Sequence, residues 1–561
     1  MEDRISHLPD HVLHEVLSLL SEKDATKTGI LSKHWNCVWN SFPILVFDEY
    51  EFSKNHKTVK ANFCDSVDRT MRRRCESSIF TERLDIRIYR AQRDCKHLDS
   101  WIDCAVTLKL NQLILVIWNN QTRSEDGKQY YVLPPCVWNS KWLRVLKLEG
   151  CEFSGSINSI GIGFSLRKLK LHRVRIDEST FHQVISSCFH LEDLRITQCV
   201  GFKVLNVVGL EGIHTVRLHL FGDDQSVSIE APGLRSLGFR GDSSSLERII
   251  QACLLKKLKE INLVETDISD VDEFEKLIPE FLWLENLSLD KCKLKESFAV
   301  TSGRLMSFSL IECDDVTHIV FDTCCLNRFR YSGNCRLDIT WIEASDEVEI
   351  NHDLSFRCRD HLYGISFDKI AMYLVNLPLC KVLTLISNGK SKWIASRALD
   401  YLSCDIKRLR LKIMNRHAQI GRSCLLILEE FLRICRRPSS VLMELGTEES
   451  VVMRLDFLYQ QEEMDKGQVI DGNCGCGGSS CWRCCLGELE ISQNVHARRD
   501  RDARKLVEFF KDLEEVQISQ SFHAMRGRDA RNLVEYFKDN ALRLKKISYV
   551  ESEDDIHSQV F

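Results

Sequence analysis

A short apolar signature recurs along this sequence with a period that a single globular core has no reason to keep. It reads apolar, two spacers, apolar, one spacer, apolar. Clear copies are Leu143-Leu146-Leu148, Leu166-Leu169-Leu171, Leu191-Leu194-Ile196, Ile213-Val216-Leu218, Leu234-Leu237-Phe239, Leu258-Ile261-Leu263, Leu284-Leu287-Leu289, Leu305-Phe308-Leu310 and Leu326-Phe329-Tyr331. Their central residues are 21 to 26 residues apart, and the pattern begins near Leu84. Such a period predicts a stack of short parallel strands with the apolar residues inward and return segments covering them. One unit alone buries too little surface to be stable, and stacked neighbours share a core. Only 8 prolines and 26 glycines in 561 residues leave little room for long linkers, which fits a small domain followed by such an array.

The spacing resembles leucine-rich repeats. The implied fold class is an α/β solenoid, an irregular horseshoe with helices on part of its outer side. Phe181-Val184-Ile185-Cys188, Leu246-Ile249-Ile250-Cys253 and Phe274-Leu277-Ile278-Phe281 have helical spacing in their return segments, whereas Gly222 to Ala231 reads as a loop. Cys151, Cys199, Cys292 and Cys313 fall at the turn after a strand, where a small side chain packs beneath it. Gly161-Ile162-Gly163 lacks a third glycine and is turn chemistry, not a phosphate loop. Beyond Tyr331 the spacing loosens, with strands expected at 348–350, 383–385, 409–411 and 489–491 and helices at 367–374 and 425–434. A near-duplication, Arg501 to Asp512 and Arg528 to Asp539, predicts two more helix–strand units ending in a polar tail.

The first fifty residues are different. Leu8-Pro9 opens a helix carrying Val12, Leu13, Val16, Leu17 and Leu20 on a wide apolar face. A short helix is expected at 24–28, and a third carrying Leu31, Trp35, Val38, Trp39 and Phe42, stopped by Pro43. So small a unit cannot bury all of this among itself, so some of the face meets either the rest of the chain or another protein.

In order and without a gap, Leu8-Pro9, Val12-Leu13, Leu17-Ser18-Leu19-Leu20, Lys23-Asp24, Leu31-Ser32-Lys33, Trp35 and Trp39 match the pattern of plant F-box proteins, and the segment resembles that family. The resemblance implies a three-helix module that binds a Skp-type adaptor and through it a cullin and a RING subunit, with Leu8, Pro9, Val12, Leu13, Val16, Leu17, Leu20, Leu31 and Trp35 as adaptor-binding residues. His34 stands where the family often has arginine. The expected layout is an F-box at 1–50, a polar connector at 51–80 with a helical middle from Val59 to Arg73, repeats at 81–460, a Cys/Gly-rich insertion at 461–488, further repeats at 489–550 and a tail at 551–561.

Charged residues make up 28% of the chain and the net charge is −5, so no global nucleic-acid footprint exists. Met1-Glu2-Asp3-Arg4 opens no secretory leader, and the longest apolar run, Leu113 to Trp118, is far short of a membrane span, which points to a soluble protein of the cytoplasm or nucleus. In that compartment most of the 25 cysteines are expected to be reduced. Five cluster between Cys474 and Cys485. Cys474, Cys476, Cys481 and Cys484 could hold zinc, but the one-residue first gap is tighter than usual, and an insertion anchored by Trp482 is the alternative. Arg72-Arg73-Arg74 reads as a solvated helix end.

No nucleophile, acid pair or phosphate loop is recognisable, so the chain is expected to have no catalytic residues and no cofactor. Its function then lies in recognition. Arg144, Lys147, Lys168, Lys170 and Arg195, with Asp193, form a basic then mixed stripe of candidate target-binding residues. The leading expectation is a substrate-recognition subunit of a cullin-based ubiquitin ligase. A scaffold or decoy without ligase function is the second, and a nucleic-acid binder using the cysteine segment with Arg498, Arg499 and Arg501 the third. A small-molecule co-receptor is compatible with the architecture, but no pocket is identifiable from sequence.

Overall fold

The structure is a computed structural model. It describes residues 5, 8–20, 25, 27–50, 52, 61–89, 97–118, 130–153, 165–220, 225–241, 243, 246, 249, 257–269, 274–313, 315–333, 337–343, 348–353, 365–366, 380–387, 393–394, 406–413, 428, 431–432, 435, 438–445, 451–457, 486–494, 516–518 and 546–552. The chain divides into two compact units, Met1–Thr266 and Asp267–Phe561.

The first unit opens with helices α1 (Asp10–Ser18) and α2 (Lys33–Ser41). Pro9 lies just outside α1 in extended conformation, and its carbonyl accepts from the amides of Val12 and Leu13. Ser32 caps α2 by accepting from the amide of Trp35 at 3.1 Å, so the helix starts after Leu31 and does not carry it. Ala25, Lys27 and Thr28 are helical, where a short helix was expected. Leu13, Leu17, Ala25, Trp35, Val38 and Phe42 close into one core, with Val16, Trp39 and Ile44 against it.

Strand β1 (Ile44–Asp48) follows directly and pairs in parallel with β2 (Arg83–Ile88), so the last residues assigned to the N-terminal module are the first strand of the sheet. Helix α3 (Ala61–Glu76) makes the return between them. It is no plain connector: Phe63, Val67 and Met71, four apart, are buried, and α3 packs on α4 (Leu98–Thr107). Cys75 and Cys104 join the two helices in a disulfide, the one pair so joined among the described cysteines. The sheet continues in parallel through β3 (Gln112–Ile117), then β5 (Val145–Glu149), β7 (Lys168–His172), β9 (Asp193–Thr197), β11 (Thr215–His219), β13 (Ser236–Arg240) and β14 (Glu260–Val264). The apolar motif residues are the buried ones, which confirms the parallel solenoid.

A second ladder lines part of the return side, where only helices and loops were expected. Strand β4 (Tyr131–Val132) pairs with β6 (Cys151–Phe153) and that with β8 (Arg175–Ile176); β10 (Val204–Val207) pairs with β12 (Ser226–Ile229). Val227 and Ile229 are buried, so the segment read as a polar loop alternates inward and outward as a strand does. Helix α5 (Glu178–Ser187) matches its expected place.

In the second unit, β15 (Asn286–Asp290), β17 (Ser307–Ile311), β19 (Arg328–Ser332) and β21 (Val348–Asp353) pair in parallel in that order, while β16 (Ser297–Thr301), β18 (His318–Asp322) and β20 (Asp338–Glu343) form the second ladder. The helix expected over 274–281 is broken: Phe274–Leu277 is α-helical and Ile278–Glu280 is a tight turn of 3-10 helix, because Pro279 removes a donor. Strands Cys380–Ser387, Arg408–Ile413 and Ser440–Leu445 extend the parallel sheet. The pattern then reverses. Val451–Phe457 pairs antiparallel with Ser440–Leu445 and with Leu486–Asn494. Five residues separate the first pair, far fewer than a parallel crossover needs, so repeats do not run unbroken to residue 460. Lys546–Ser552 returns to parallel pairing with Leu486–Asn494 and Val516–Ile518. The helices of the duplication, the segment at 367–374 and the glycines Gly161 and Gly163 lie outside the described residues.

Candidate functional site

Helices α1 and α2 run side by side in the same direction. His34 Nε2 lies 3.6 Å from Asp10 Oδ1, and four residues on in both helices His14 Nε2 is 3.2 Å from the carbonyl oxygen of Val38 and from Ser41 Oγ. Leu8, Pro9 and Leu31 therefore lie at the shared N-terminal end. Leu31 is 67% exposed and Ile30 85%, both held in the turn that enters α2, and Leu8 is 38% exposed. Ile5 is tied to this end by the amide of Leu8, which donates to its carbonyl at 3.0 Å, and it too is exposed. Leu19 and Leu20 are exposed at the opposite end of α1.

This divides the expected adaptor-binding set. Leu8, Pro9, Leu20 and Leu31 are exposed, and Val12 and Val16 half-buried. Leu13, Leu17 and Trp35 are corrected: they are interior, with Trp35 only 5% exposed, and they hold the exposed residues from behind. The cause is geometric, since two parallel helices turn the i, i+4 stripe of each toward the other. Ile5, Leu19 and Ile30 were missed, having no helical periodicity to mark them.

The module is bolted to the sheet. Arg73 Nη1 donates to Asn40 Oδ1 at 2.8 Å, Arg74 to the carbonyl of Phe42, and the amides of Glu82 and Arg83 to the carbonyl of Pro43. Arg74 is buried, so the solvated reading of that arginine run fails for it; burial and then Arg73 lower its pKa to about 10.

The second candidate surface is the open face of the sheet. Register puts one residue from each strand in a row: Asp85, Ile114, Lys147, Lys170, Arg195, Arg217, Gly238 and Asn262. Four consecutive members are cations. Lys168 stands one row over, level with Asp193. Arg144 is displaced from its expected place: it precedes β5, and its carbonyl accepts from Arg167 and Lys168. Arg217, not anticipated, completes the row.

Counter-charge on this face is sparse. Asp193 serves both Arg195 (3.0 Å) and Lys170 (3.8 Å), Glu260 lies 3.9 Å from Arg217, and Lys147 has no ion-pair partner among the described residues. Burial, then Arg195, pushes the Lys170 pKa down; Asp193 opposes this, while Lys168 and Lys147 add to it. Burial likewise lowers His172, against Glu149, and His219, beside Arg240 and Arg217. Asp85, fully buried in the row between Val46 and Ile114, is satisfied by Arg83 at 2.8 Å and Arg87 at 3.0 Å.

The four turn cysteines are buried, each within 3.4–3.6 Å of the carbonyl oxygen two residues before it, so they act as packing. No cluster able to hold a metal exists among the described residues. Cys474, Cys476, Cys481 and Cys484, with Arg498, Arg499 and Arg501, lie outside them.

Comparison with known families supplies the deciding observation. Residues 5–47 match the F-box domain, and residues 71–252 match the LRR domain of the At1g61320/AtMIF1 type. The chain pairs an F-box with an LRR domain, as plant F-box/LRR proteins do. Similar proteins of Arabidopsis thaliana include an F-box/FBD/LRR-repeat protein, 27% identical over 335 residues, which are 57% of this chain and 71% of the relative. An F-box/LRR-repeat protein is 27% identical over 315 residues, 54% of this chain and 96% of the relative. A putative F-box/LRR-repeat protein is 25% identical over 324 residues, 57% of this chain and 64%, under two thirds, of the relative. F-box domains in general bind Skp-type adaptors, and the cationic row lies wholly within the matched LRR domain.

Proposed function

We propose that this F-box/LRR protein is the substrate-recognition subunit of a cullin-based ubiquitin ligase. The F-box engages a Skp-type adaptor, and through it a cullin and a RING subunit, while the open face of the repeats holds a target protein. Ubiquitin transfer then follows from proximity, because tethering makes the encounter between target lysine and conjugating enzyme effectively intramolecular. The chemistry is the partners' own, and the site of action is the cytoplasm or nucleus.

The observation that carries this reading is the exposed apolar end of the F-box. Ile5, Leu8, Ile30 and Leu31 sit in solvent on a module whose core is already closed by Leu13, Leu17 and Trp35. Large apolar residues left out of a completed core fit a docking surface.

Co-purification of the full chain with a Skp-type adaptor tests it. Leu8→Asp with Leu31→Asp abolishes capture while leaving the melting temperature near wild type. Wild-type protein that captures no adaptor sinks the proposal and puts the scaffold reading first. Capture without ubiquitin transfer to a bound partner leads to the decoy reading.

A further inference from the structure

We infer that Lys147, Lys170, Arg195 and Arg217 form a linear receptor for an extended acidic segment of a partner protein, running across the strands. This rests on the reading of the open face as the target-holding surface and names the chemistry of what it holds.

Geometry comes first. The four residues occupy one register row on β5, β7, β9 and β11, so their backbone origins step by about 4.8 Å and span about 14 Å. An extended chain places alternate side chains on one face about 6.7 Å apart. Three carboxylates at alternate positions therefore reach over the whole row.

The row has defined ends. Ile114 precedes Lys147 and Gly238 follows Arg217. A Cβ at Gly238 would come within 3.0 Å of Arg217 Cγ, so the absent side chain leaves room for the arginine to lie across that strand toward Glu260. This is a position where a larger residue would displace the last cation.

Charge selects the occupant. On the first two rows from β5 to β14, Lys147, Lys168, Lys170, Arg195 and Arg217 face only Asp193 and Glu260. One carboxylate is shared between two cations, and Lys147 and Lys168 have no ion-pair partner among the described residues. Burial first, and after it this crowding by Arg195, Lys168 and Lys147, holds the Lys170 pKa down. A ligand that supplies carboxylates relieves it.

The arrangement disfavours a nucleic acid. No aromatic side chain stands in the row to stack a base.

The test uses the full chain, co-expressed with its adaptor where that complex forms, and a fluorescein-labelled peptide of alternating glutamate and serine. Anisotropy is expected to report binding that weakens about tenfold or more when salt rises from roughly 50 to 250 mM. Lys170→Glu with Arg217→Glu weakens it at least about tenfold, and the milder Lys170→Gln with Arg217→Gln by a smaller step. Lys203→Glu, on the strand-free approach to β10 in the other ladder, leaves it unchanged. Equal binding of a glutamine–serine peptide, indifference to the row variants, or tighter binding of a single-stranded oligonucleotide overturns the inference. Adaptor capture is scored in parallel. Its loss with peptide binding intact removes the ligase reading alone, and the converse removes this inference alone.

Discussion

Arg74, near the end of the first long helix, drives its guanidinium into the carbonyl oxygen of Phe42, the residue that ends the F-box core. Both partners are buried, and Glu82 and Arg83 grip Pro43 immediately beyond. The F-box is thus continuous with the repeats.

Arg74→Met should therefore cost about 1.5–3 kcal/mol, the worth of a buried charged hydrogen bond. Thermal denaturation measures it. Adaptor capture at low temperature should survive, since Arg74 is not on the exposed end. An unchanged melting temperature would mean the two parts are joined loosely.

Trp35 and Leu31 separate stability from binding. Trp35→Ala should cost about 3–5 kcal/mol through the cavity it leaves, whereas Leu31→Asp should leave the melting curve where it is. Circular dichroism melts of the two variants side by side check this. A Trp35→Ala protein as stable as wild type would put Trp35 on the surface.

Asp177 caps α5, accepting from the Thr180 amide at 2.9 Å and from the Ser179 and Thr180 hydroxyls. These hydrogen bonds lower its pKa from 3.8 to about 2. A depressed folded-state carboxylate contributes stability that is complete above the unfolded value and disappears as pH falls through the folded one. Asp177→Ala should cost about 1 kcal/mol at neutral pH, and its deficit against wild type should shrink between pH 4 and 2. Urea titrations across that range decide the matter; a pH-independent difference would show that the carboxylate is not the cap.

Burial raises the thiol pKa of Cys188 to about 12 and of Cys199 to about 11. Native alkylation with iodoacetamide at neutral pH should mark the exposed Cys37, Cys324 and Cys325 and spare Cys151, Cys188, Cys199, Cys292 and Cys313. Peptide mapping reads it out. Rapid labelling of Cys199 would place the repeat turn in solvent.

One backbone position gives opposite signs for two substitutions. Gly150 has φ +69°, and a Cβ there would fall 2.0 Å from the Ile117 carbonyl oxygen. Lys291 holds the equivalent place in its repeat with φ +53°. Gly150→Ala should destabilise by about 2 kcal/mol, while Lys291→Gly should gain up to about 1 kcal/mol by removing left-handed strain. Denaturant midpoints measure both.

The stacked strands were legible because Leu146, Leu169 and Leu194 carry their own period. The F-box was legible from its ordered matches, and the basic stripe from alternation along single strands. Arg217 was missed because only cross-strand register shows that it completes the row. Trp35 was placed on the wrong side because periodicity identifies an apolar stripe without saying which neighbour covers it. Arg74 was missed because a charged run looks solvated until a carbonyl from a distant segment is found at its end. The left-handed turns at Arg173, Gln198, Glu265, Lys291 and Glu312 left no trace, since the chain uses long polar residues where glycine would have signalled them.

Those turns reach forward. The amide of Gly150 donates to the carbonyl of His172, Arg173 to Thr197 and Gln198 to His219, and in the second unit Lys291 to Ile311 and Glu312 to Ser332. Each of these five repeats is closed by its successor, so the unit that can be added or removed without leaving a turn open is a whole repeat. A lineage can gain or lose one complete repeat and find every turn still meeting a strand end. Loss of half a repeat leaves a turn with nothing to close on, so length variation among descendants should come in steps of a full period.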